Sequence, residues 1–490
     1  MRLQNTLTGN VEVLVPVAPG RIGLYVCGVT PYDSAHVGHA MSLMVYDVLV
    51  RYLRWKGNPA GGYQVTFVSN YTDVDDKLIE RAAQQERDPL ELANANIEQW
   101  EQEQQALGLI LPDVRPRVTR EIDNIIGMIE EIIANGLAYV TPTGDVYYRV
   151  REKADYGKLS HRNIDDLRSG TRFEPGDGKE FALDFALWKA QKPGEPAWPS
   201  PWGLGRPGWH IECSAMARRY LYSKEGGDRF DIHGGGVDLI FPHHENEIAQ
   251  AEAAKHAPGP TFANIWMHNG MVQRDGEKMS KSLGNVVNVA EALDRWSPDA
   301  IRMYVLSSKY RQPNNLTDEA MAAAVAGIER LTAALRPGTG AAPSSIDIAA
   351  SRARFIEVME DDLGTPQALA TLFDLSRAIN RGRDAGEDIA AAQATLRELA
   401  GVLGLTLVER AADEASARLD PAPFARLASR LNVVCSGKDV ASTVDALIER
   451  RIAARTEKDW ALADTIRKEL DALGVVLEDG AAGTRWSVKR

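Results

Sequence analysis

Cysteine is scarce in this chain: Cys27, Cys213 and Cys435 are the only three in 490 residues. Three thiols cannot build a disulfide framework, and their sparseness fits a reducing compartment. Long apolar runs are missing too. No stretch approaches the roughly eighteen consecutive apolar residues of a membrane span, and the polar start Met1-Arg-Leu-Gln-Asn-Thr6 lacks the apolar core of a signal peptide. A cytoplasmic protein with no membrane partner is therefore expected. Positive charge is also short: 56 Lys and Arg face 68 Asp and Glu, a formal charge of −12. This argues against wholesale electrostatic capture of nucleic acid and leaves room for a local basic surface. No internal repeat is visible. With 44% apolar and 25% charged residues the composition is that of an ordinary globular protein, too long for one core, so three or four domains are expected.

What is present centres on Tyr25-Val-Cys-Gly-Val-Thr-Pro-Tyr-Asp-Ser-Ala-His-Val-Gly-His39. Arg21-Ile-Gly-Leu-Tyr-Val26 reads as a buried parallel strand with Cys27 at its carboxyl end. Met41, Met44, Val45, Val48, Tyr52 and Trp55 recur at helical spacing and Lys56-Gly-Asn58 supplies a stop, so a helix begins near Gly38. His36 and His39 then line a helix N-terminus, a natural seat for phosphate, and Gly38 allows a nucleotide to come close. Gln64-Val-Thr-Phe-Val68 completes a β-α-β unit, the opening of an α/β doubly wound sheet. In such sheets ligands gather at the strand-to-helix edge.

Further along, Thr72 is expected to N-cap a helix through Ala82, with Asp73, Asp75 and Asp76 as dipole partners. Helical runs cover residues 89–107 and 118–135, and a hairpin follows through Tyr139-Val140 and Val146–Val150. Residues 154–207, rich in Gly, Pro and charge, read as an irregular insertion between two halves of the sheet. The second half opens with a helix from Gly208 that carries Cys213. Phe230-Asp-Ile-His-Gly-Gly-Gly236 reads as a strand entering a glycine loop whose glycines permit positive φ. His243 and Glu247 share one helical face. Ala263–His268 is another strand, and the polar loop Asp275–Asn285 offers Lys278 and Lys281 to a polyphosphate. Beyond Val286 the texture is helical, with a flexible stretch at Pro337–Ser345 and an N-cap at Thr365 before Pro366. Leu369, Leu372, Phe373 and Ile379 form one buried stripe. A long helix is expected from Val444 to Leu473. On it Trp460, Asp464 and Arg467 share a face suited to stacking an unpaired base and pairing with base edges.

Cys27, Cys213, Glu247 and either His243 or His244 would satisfy a tetrahedral zinc. Spacing alone makes only the His243/Glu247 pair local.

Assembled, these stretches resemble the class I aminoacyl-tRNA synthetases, and among them the bacterial cysteine-specific branch. His36-Val-Gly-His39 resembles the His-Ile-Gly-His signature with Val37 for Ile, and Lys278-Met-Ser-Lys-Ser282 matches the second signature. Cys27, Trp209–Cys213, Phe230–Gly236 and Pro242–Glu247 match the cysteine branch, and the likeness covers nearly the whole chain. It implies one zinc per chain on Cys27, Cys213, His243 and Glu247, with His244 behind them. It also implies ATP with Mg²⁺ as substrate: His36, Gly38 and His39 meet the phosphates, and Lys278 and Lys281 close over them. Thr72, Trp209, His233 and Asp238 complete the L-cysteine pocket, and Arg455, Trp460, Asp464 and Asp479 read the GCA anticodon of tRNA(Cys). The implied layout is a Rossmann-like catalytic domain over 1–285 with an insertion at about 90–207. A stem-contact region follows over 286–330, with the Lys278 loop at its start, then a helical bundle over 331–411 and an anticodon-binding domain over 412–490. A monomer is expected. Zinc matters physically because sulfur for oxygen is too small a change for a cavity to reject, whereas a soft thiolate binds the cation far better than an alcohol. Two rivals are a ligase that passes the same adenylate to a small amine, as in the mycothiol pathway, and a non-catalytic zinc-dependent RNA-binding protein. The first lacks a C-terminal tRNA-reading unit, and the second has no use for the phosphate signatures.

Overall fold

Period-two alternation in Arg21–Val29 sends Ile22, Leu24 and Val26 into one hydrophobic cluster and Tyr25 into another, so this strand is covered on both faces. In this computed structural model, residues 1–163, 178–223, 226–254, 262–279, 285–408, 419–433, 439–480 and 483–488 are described. They fall into two compact units, Met1–Leu407 and Val408–Arg490.

The first unit begins with a hairpin, β1 (Arg2–Asn5) and β2 (Asn10–Val13), then β3 (Arg21–Val29), α1 (Val37–Arg54) and β4 (Gln64–Tyr71). Next come α2 (Asp76–Gln84), α3 (Pro89–Ala106) and α4 (Ile122–Ala134), then β5 (Ala138–Val140), β6 (Val146–Tyr148), β7 (Phe185–Ala190) and β8 (Gly205–Pro207). The second half runs α5 (Trp209–Leu221), β9 (Arg229–Gly236), α6 (Glu245–Ala253) and β10 (Phe262–Asn269). The central sheet has order β10-β9-β3-β4, and every pair in it is parallel. From β3 the chain crosses through α1 to β4 on one side, while β9 lies on the other. The switch point therefore falls between β3 and β9, where a crevice opens beyond their carboxyl ends.

The segment expected to be irregular supplies β7 and β8, which complete an antiparallel sheet β5-β6-β7-β8 around buried Trp188; residues 164–177 lie outside the described residues. Gly205 and Pro207 hid β8 because an edge strand tolerates both. A Cβ at Gly205 would lie 2.3 Å from the Lys189 carbonyl oxygen. Thr72 does not cap α2. Asp75 does, accepting from the Lys77 N–H at 2.9 Å, while Thr72 is buried and donates to Glu212. Asp73 accepts from the Thr119 N–H and hydroxyl at 3.0 and 2.7 Å, and Asp76 pairs with Lys189 and Arg206. Gly234, Gly235 and Gly236 belong to β9 itself and do not form a loop of positive φ. Their lack of side chains makes room for Tyr46 and His244, whose rings would lie 2.3 and 2.8 Å from a Cβ on Gly234 and Gly235.

The helical region of this unit comprises α7 (Val289–Arg295), α8 (Pro298–Leu306), α9 (Asp318–Ala334), α10 (Ile348–Glu360), α11 (Thr365–Asp384) and α12 (Ala390–Val402). Thr365 is the first residue of α11, and Gly364 takes the cap because a Cβ there would meet the Val358 carbonyl oxygen at 2.5 Å. The stretch 337–345 is pinned: Ala342 bridges to Glu387, and the Ser345 N–H and hydroxyl both donate to the Glu387 carboxylate at 2.9 Å. Arg302 on α8, 1% exposed, donates to Asp47 on α1 at 2.5 Å and to Gly108 O, just past α3, at 3.2 Å.

The second unit contains α13 (Pro421–Arg430), α14 (Val440–Thr456), α15 (Trp460–Ala472), β11 (Val475–Gly480) and β12 (Gly483–Val488). The single long helix expected over 444–473 is two helices. Lys458 turns the chain at φ 64°, and Asp459 recaps it by accepting from the Leu462 N–H at 3.0 Å. Phe424, Leu427, Val444, Leu447, Ile466 and Leu470 form the core. Among the described residues, no helix is long and apolar enough to cross a membrane.

Candidate metal centre and active-site cleft

Cys27 leaves the end of β3 at a bulge between Val26 and Val29, and Cys213 projects from the second turn of α5. His243 comes from the irregular π turn Ile240–His244, and Glu247 from the first turn of α6. One donor atom from each of these four residues lies within 4.8 Å of the other three. Cys27 Sγ is 3.4 Å from Glu247 Oε1, and His243 Nε2 is 3.1 Å from the same oxygen. These spacings suit a tetrahedron with metal–ligand bonds of about 2.0–2.3 Å, whose edges run from about 3.3 to 3.8 Å. A second overlapping group, Cys27, His233, His244 and Glu247, meets the same limit.

Both groups are held from outside. His233 Nε2 bonds Glu247 Oε2, the oxygen that Cys27 does not contact, at 2.8 Å, and its ring stacks on Trp266. His244 Nε2 lies 3.3 Å from Cys27 Sγ, and its Nδ1 is 2.8 Å from His268 Nε2. His243 Nδ1 is 3.0 Å from His210 Nδ1. Each inner group is thus oriented by an outer one, the usual support of a metal ligand. Burial pulls His243 and His244 well below the ordinary histidine range, with neighbouring histidines adding to it, so both keep a neutral ring with a lone pair. Burial pushes the Cys27 and Cys213 thiols up. A divalent cation reverses that balance by stabilising the thiolates.

Above this cluster a cleft of about 390 Å³ is lined by Cys27, His36, Gly38, His39, Trp209 and Asp238, among others. At its helix end His36 Nδ1 accepts from the Gly38 N–H at 3.1 Å, and His39 Nδ1 accepts from the His36 N–H at 3.2 Å. The two stacked rings therefore cap α1 themselves, their centroids 3.8 Å apart. Gly38 is required by the His36 ring, 2.9 Å from where a Cβ would sit. Of the expected amino-acid pocket, Trp209 and the exposed Asp238 face the cleft, with Trp209 stacked on His243 at 4.3 Å. Thr72 and His233 are 2% and 0% exposed and bond to Glu212 and Glu247. Lys278 lies in the short strand Glu277–Lys278, paired with Gln273, while Lys281 and Cys435 lie outside the described residues. In the second unit Trp460 is 58% exposed and Asp464 is exposed. Asp479 accepts from Arg451 at 2.7 and 2.8 Å and from Arg455 at 2.9 Å, so these two anticodon candidates are paired with each other. Sequence reasoning passed over His210, His268 and Asn70. The available signal was that Asn70 ends the strand beside Cys27.

The parallel sheet, the capped His-x-x-His helix and the cleft at the switch point are those of a class I aminoacyl-tRNA synthetase. The family model described as "tRNA synthetases class I (C) catalytic domain" matches residues 13–326, a DALR domain model matches 354–408, and a "Cysteinyl-tRNA ligase anticodon binding domain" model matches 438–486. The chain is 48% identical over 488 residues to a cysteine–tRNA ligase of Halorhodospira halophila, covering 99% of each chain. It is 46% identical over 491 residues to one of Dehalococcoides mccartyi, covering 100% of each. The fold also matches Mycobacterium tuberculosis methionyl-tRNA synthetase bound by methionyl-adenylate, with TM-score 0.55 and 16% identity over 78% of this chain and 89% of that one. The chain belongs to the cysteine–tRNA ligase family.

Proposed function

We propose that this chain attaches L-cysteine to tRNA(Cys) through a cysteinyl-adenylate formed from ATP. The observation that carries this reading is the convergence of two thiols, an imidazole and a carboxylate beneath a cleft whose other wall is the His36–His39 helix end. Cys27, Cys213, His243 and Glu247 would hold one zinc, with His233, His244 and His210 orienting them. A zinc ion there would take the substrate sulfur as thiolate and discriminate against the serine hydroxyl, replacing an editing step that otherwise must supply about 10⁴-fold selectivity.

The chain's own residues do the rest by positioning. Trp209 and Asp238, with Thr72 and His233 behind them, shape the amino-acid pocket. The substrate carboxylate attacks the α-phosphate of ATP in line, with pyrophosphate as leaving group. His36, Gly38 and His39 cradle the phosphates at the positive end of α1, and Lys278 and Lys281 neutralise the β- and γ-phosphates and their Mg²⁺. The aminoacyl group then passes to the terminal adenosine of the tRNA. Residues 286–330 face its stem, 331–411 form the helical bundle, and 412–490 read the anticodon through Trp460, Asp464 and the Arg455–Asp479 pair. The match at residues 438–486 favours tRNA over a small amine as acceptor. We take the protein to act as a cytoplasmic monomer. The test is cysteine-dependent pyrophosphate exchange followed by transfer to tRNA or to a glucosamine-inositol acceptor. Exchange without transfer to tRNA rejects the acceptor, and no exchange rejects the reading.

A further inference from the structure

Asn70, 1% exposed, sits at the carboxyl end of β4 beside the cluster of sulfur ligands. The β3 bulge turns the Gly28 N–H out of the strand ladder, and that N–H donates to Asn70 Oδ1 at 2.9 Å. The same oxygen accepts from Cys213 Sγ at 3.6 Å. At the other end of the carboxamide, Nδ2 donates to Thr72 Oγ1 at 3.1 Å. The Thr72 hydroxyl in turn donates to Glu212 Oε2 at 3.0 Å, and Glu212 is the residue before Cys213. One side chain thus holds the residue after Cys27, packs against Cys213, and is locked by a relay that returns to α5. The backbones are close here as well: a Cβ on Gly28 would lie 1.6 Å from the Asn70 main-chain carbonyl oxygen. Thr72, Glu212 and Cys213 are 2%, 1% and 2% exposed, so solvent does not replace a lost partner.

We propose that Asn70 is a positioning residue that sets the distance between the two sulfur donors. Through that distance it sets the affinity of the centre for its metal and its preference for cysteine over serine. The proposal rests on the ligand assignment made above. Two sulfurs on one tetrahedral zinc stand about 3.8 Å apart, given bonds of about 2.3 Å. The Gly28 contact fixes one sulfur, and the Thr72–Glu212 relay, which enters α5 one residue before Cys213, fixes the other; the Cys213 S–H contact is given up when that sulfur becomes a thiolate. Outer partners of this kind typically change metal affinity about 10- to 100-fold.

The experiment uses the full-length protein loaded with zinc or cobalt, as wild type, Asn70→Ala and Asn70→Asp. The aspartate is nearly isosteric and keeps the acceptor for Gly28, but it removes the donor to Thr72. Chelator competition is expected to show about 10- to 100-fold weaker metal binding in Asn70→Ala and a smaller loss in Asn70→Asp. The thiolate-to-cobalt absorption band should shift, and the cysteine-to-serine ratio in pyrophosphate exchange should fall while the KM for ATP holds. Unchanged metal affinity and an unchanged band in Asn70→Ala overturn the proposal. If the alanine variant does not fold, the same result in Asn70→Asp overturns it. A wild-type protein that binds no metal is a different failure: it sinks the ligand assignment and this proposal with it.

Discussion

Cys213 is 2% exposed and its sulfur lies within 4.8 Å of a donor atom each of Cys27, His243 and Glu247. Cys213→Ser alters little but the donor atom. It is expected to weaken metal binding at least about 100-fold, since soft thiolate is what the site offers zinc. The cysteine-to-serine ratio in pyrophosphate exchange should collapse with it, and a retained ratio counts against zinc-based selection. Lys281→Ala is expected to slow exchange about 10²- to 10³-fold, as loss of one preorganised charge-stabilising donor does, with little change in the KM for cysteine. An unchanged exchange rate rejects the phosphate role. The candidate donors came from the resemblance to the synthetases, since spacing alone made only His243 and Glu247 neighbours on a helix and left Cys27 and Cys213 far apart in sequence. Spacing cannot choose between His243 and His244, and the π turn at Ile240–His244 brings a ring nitrogen of each into a group of possible donors with Cys27 and Glu247. Asn70 was not legible because its role exists only across the β3–β4 edge.

At the scale of elements, α1 is both scaffold and ligand site, because the side chains expected to meet phosphate also cap the helix. His36→Asn separates the two jobs. Asparagine is a good N-cap, so the melting temperature should hold, while His36→Ala should cost about 1 kcal/mol. Both should slow adenylate formation, and normal exchange in the asparagine variant would leave His36 a cap alone. The start of α2 has a pH signature. Burial raises the Asp76 pKa, but hydrogen bonds and charge from Lys189 and Arg206 outweigh this and hold it at about 2. A depressed carboxylate stabilises above its unfolded value of about 3.9 and loses that contribution as pH falls through its folded value. Acid melts of Asp76→Asn and wild type should therefore converge between about pH 4 and 2, and a difference persisting below that range contradicts the pairing. In the second unit, Trp460→Ala should leave pyrophosphate exchange intact and reduce tRNA charging about 5- to 150-fold, the range for a lost base stack of about 1–3 kcal/mol. Equal charging of tRNA by the variant removes Trp460 from the anticodon site. Period and breaker residues located most elements. They missed the break at Lys458, because no glycine or proline marks it and the apolar stripe carries on past it.

At the scale of the whole molecule, Asp47 and Arg302 are 0% and 1% exposed and 255 residues apart in sequence. No local pattern reveals such a pair, whereas the parallel sheet was visible from its apolar runs. Arg302→Ala removes one of two cations from buried Asp47, which Arg51 still holds at 2.9 Å, so it is expected to cost about 1.5–3 kcal/mol in urea unfolding of the first unit. A loss under about 1 kcal/mol would mean water reaches Asp47. The proposed metal ligands are likewise dispersed along the chain, and this carries a mechanical consequence. Cleavage of the exposed turn at residues 191–195 would put Cys27 on one fragment and Cys213, His243 and Glu247 on the other. The ion would then rivet the two pieces together, and chelation should hasten their separation.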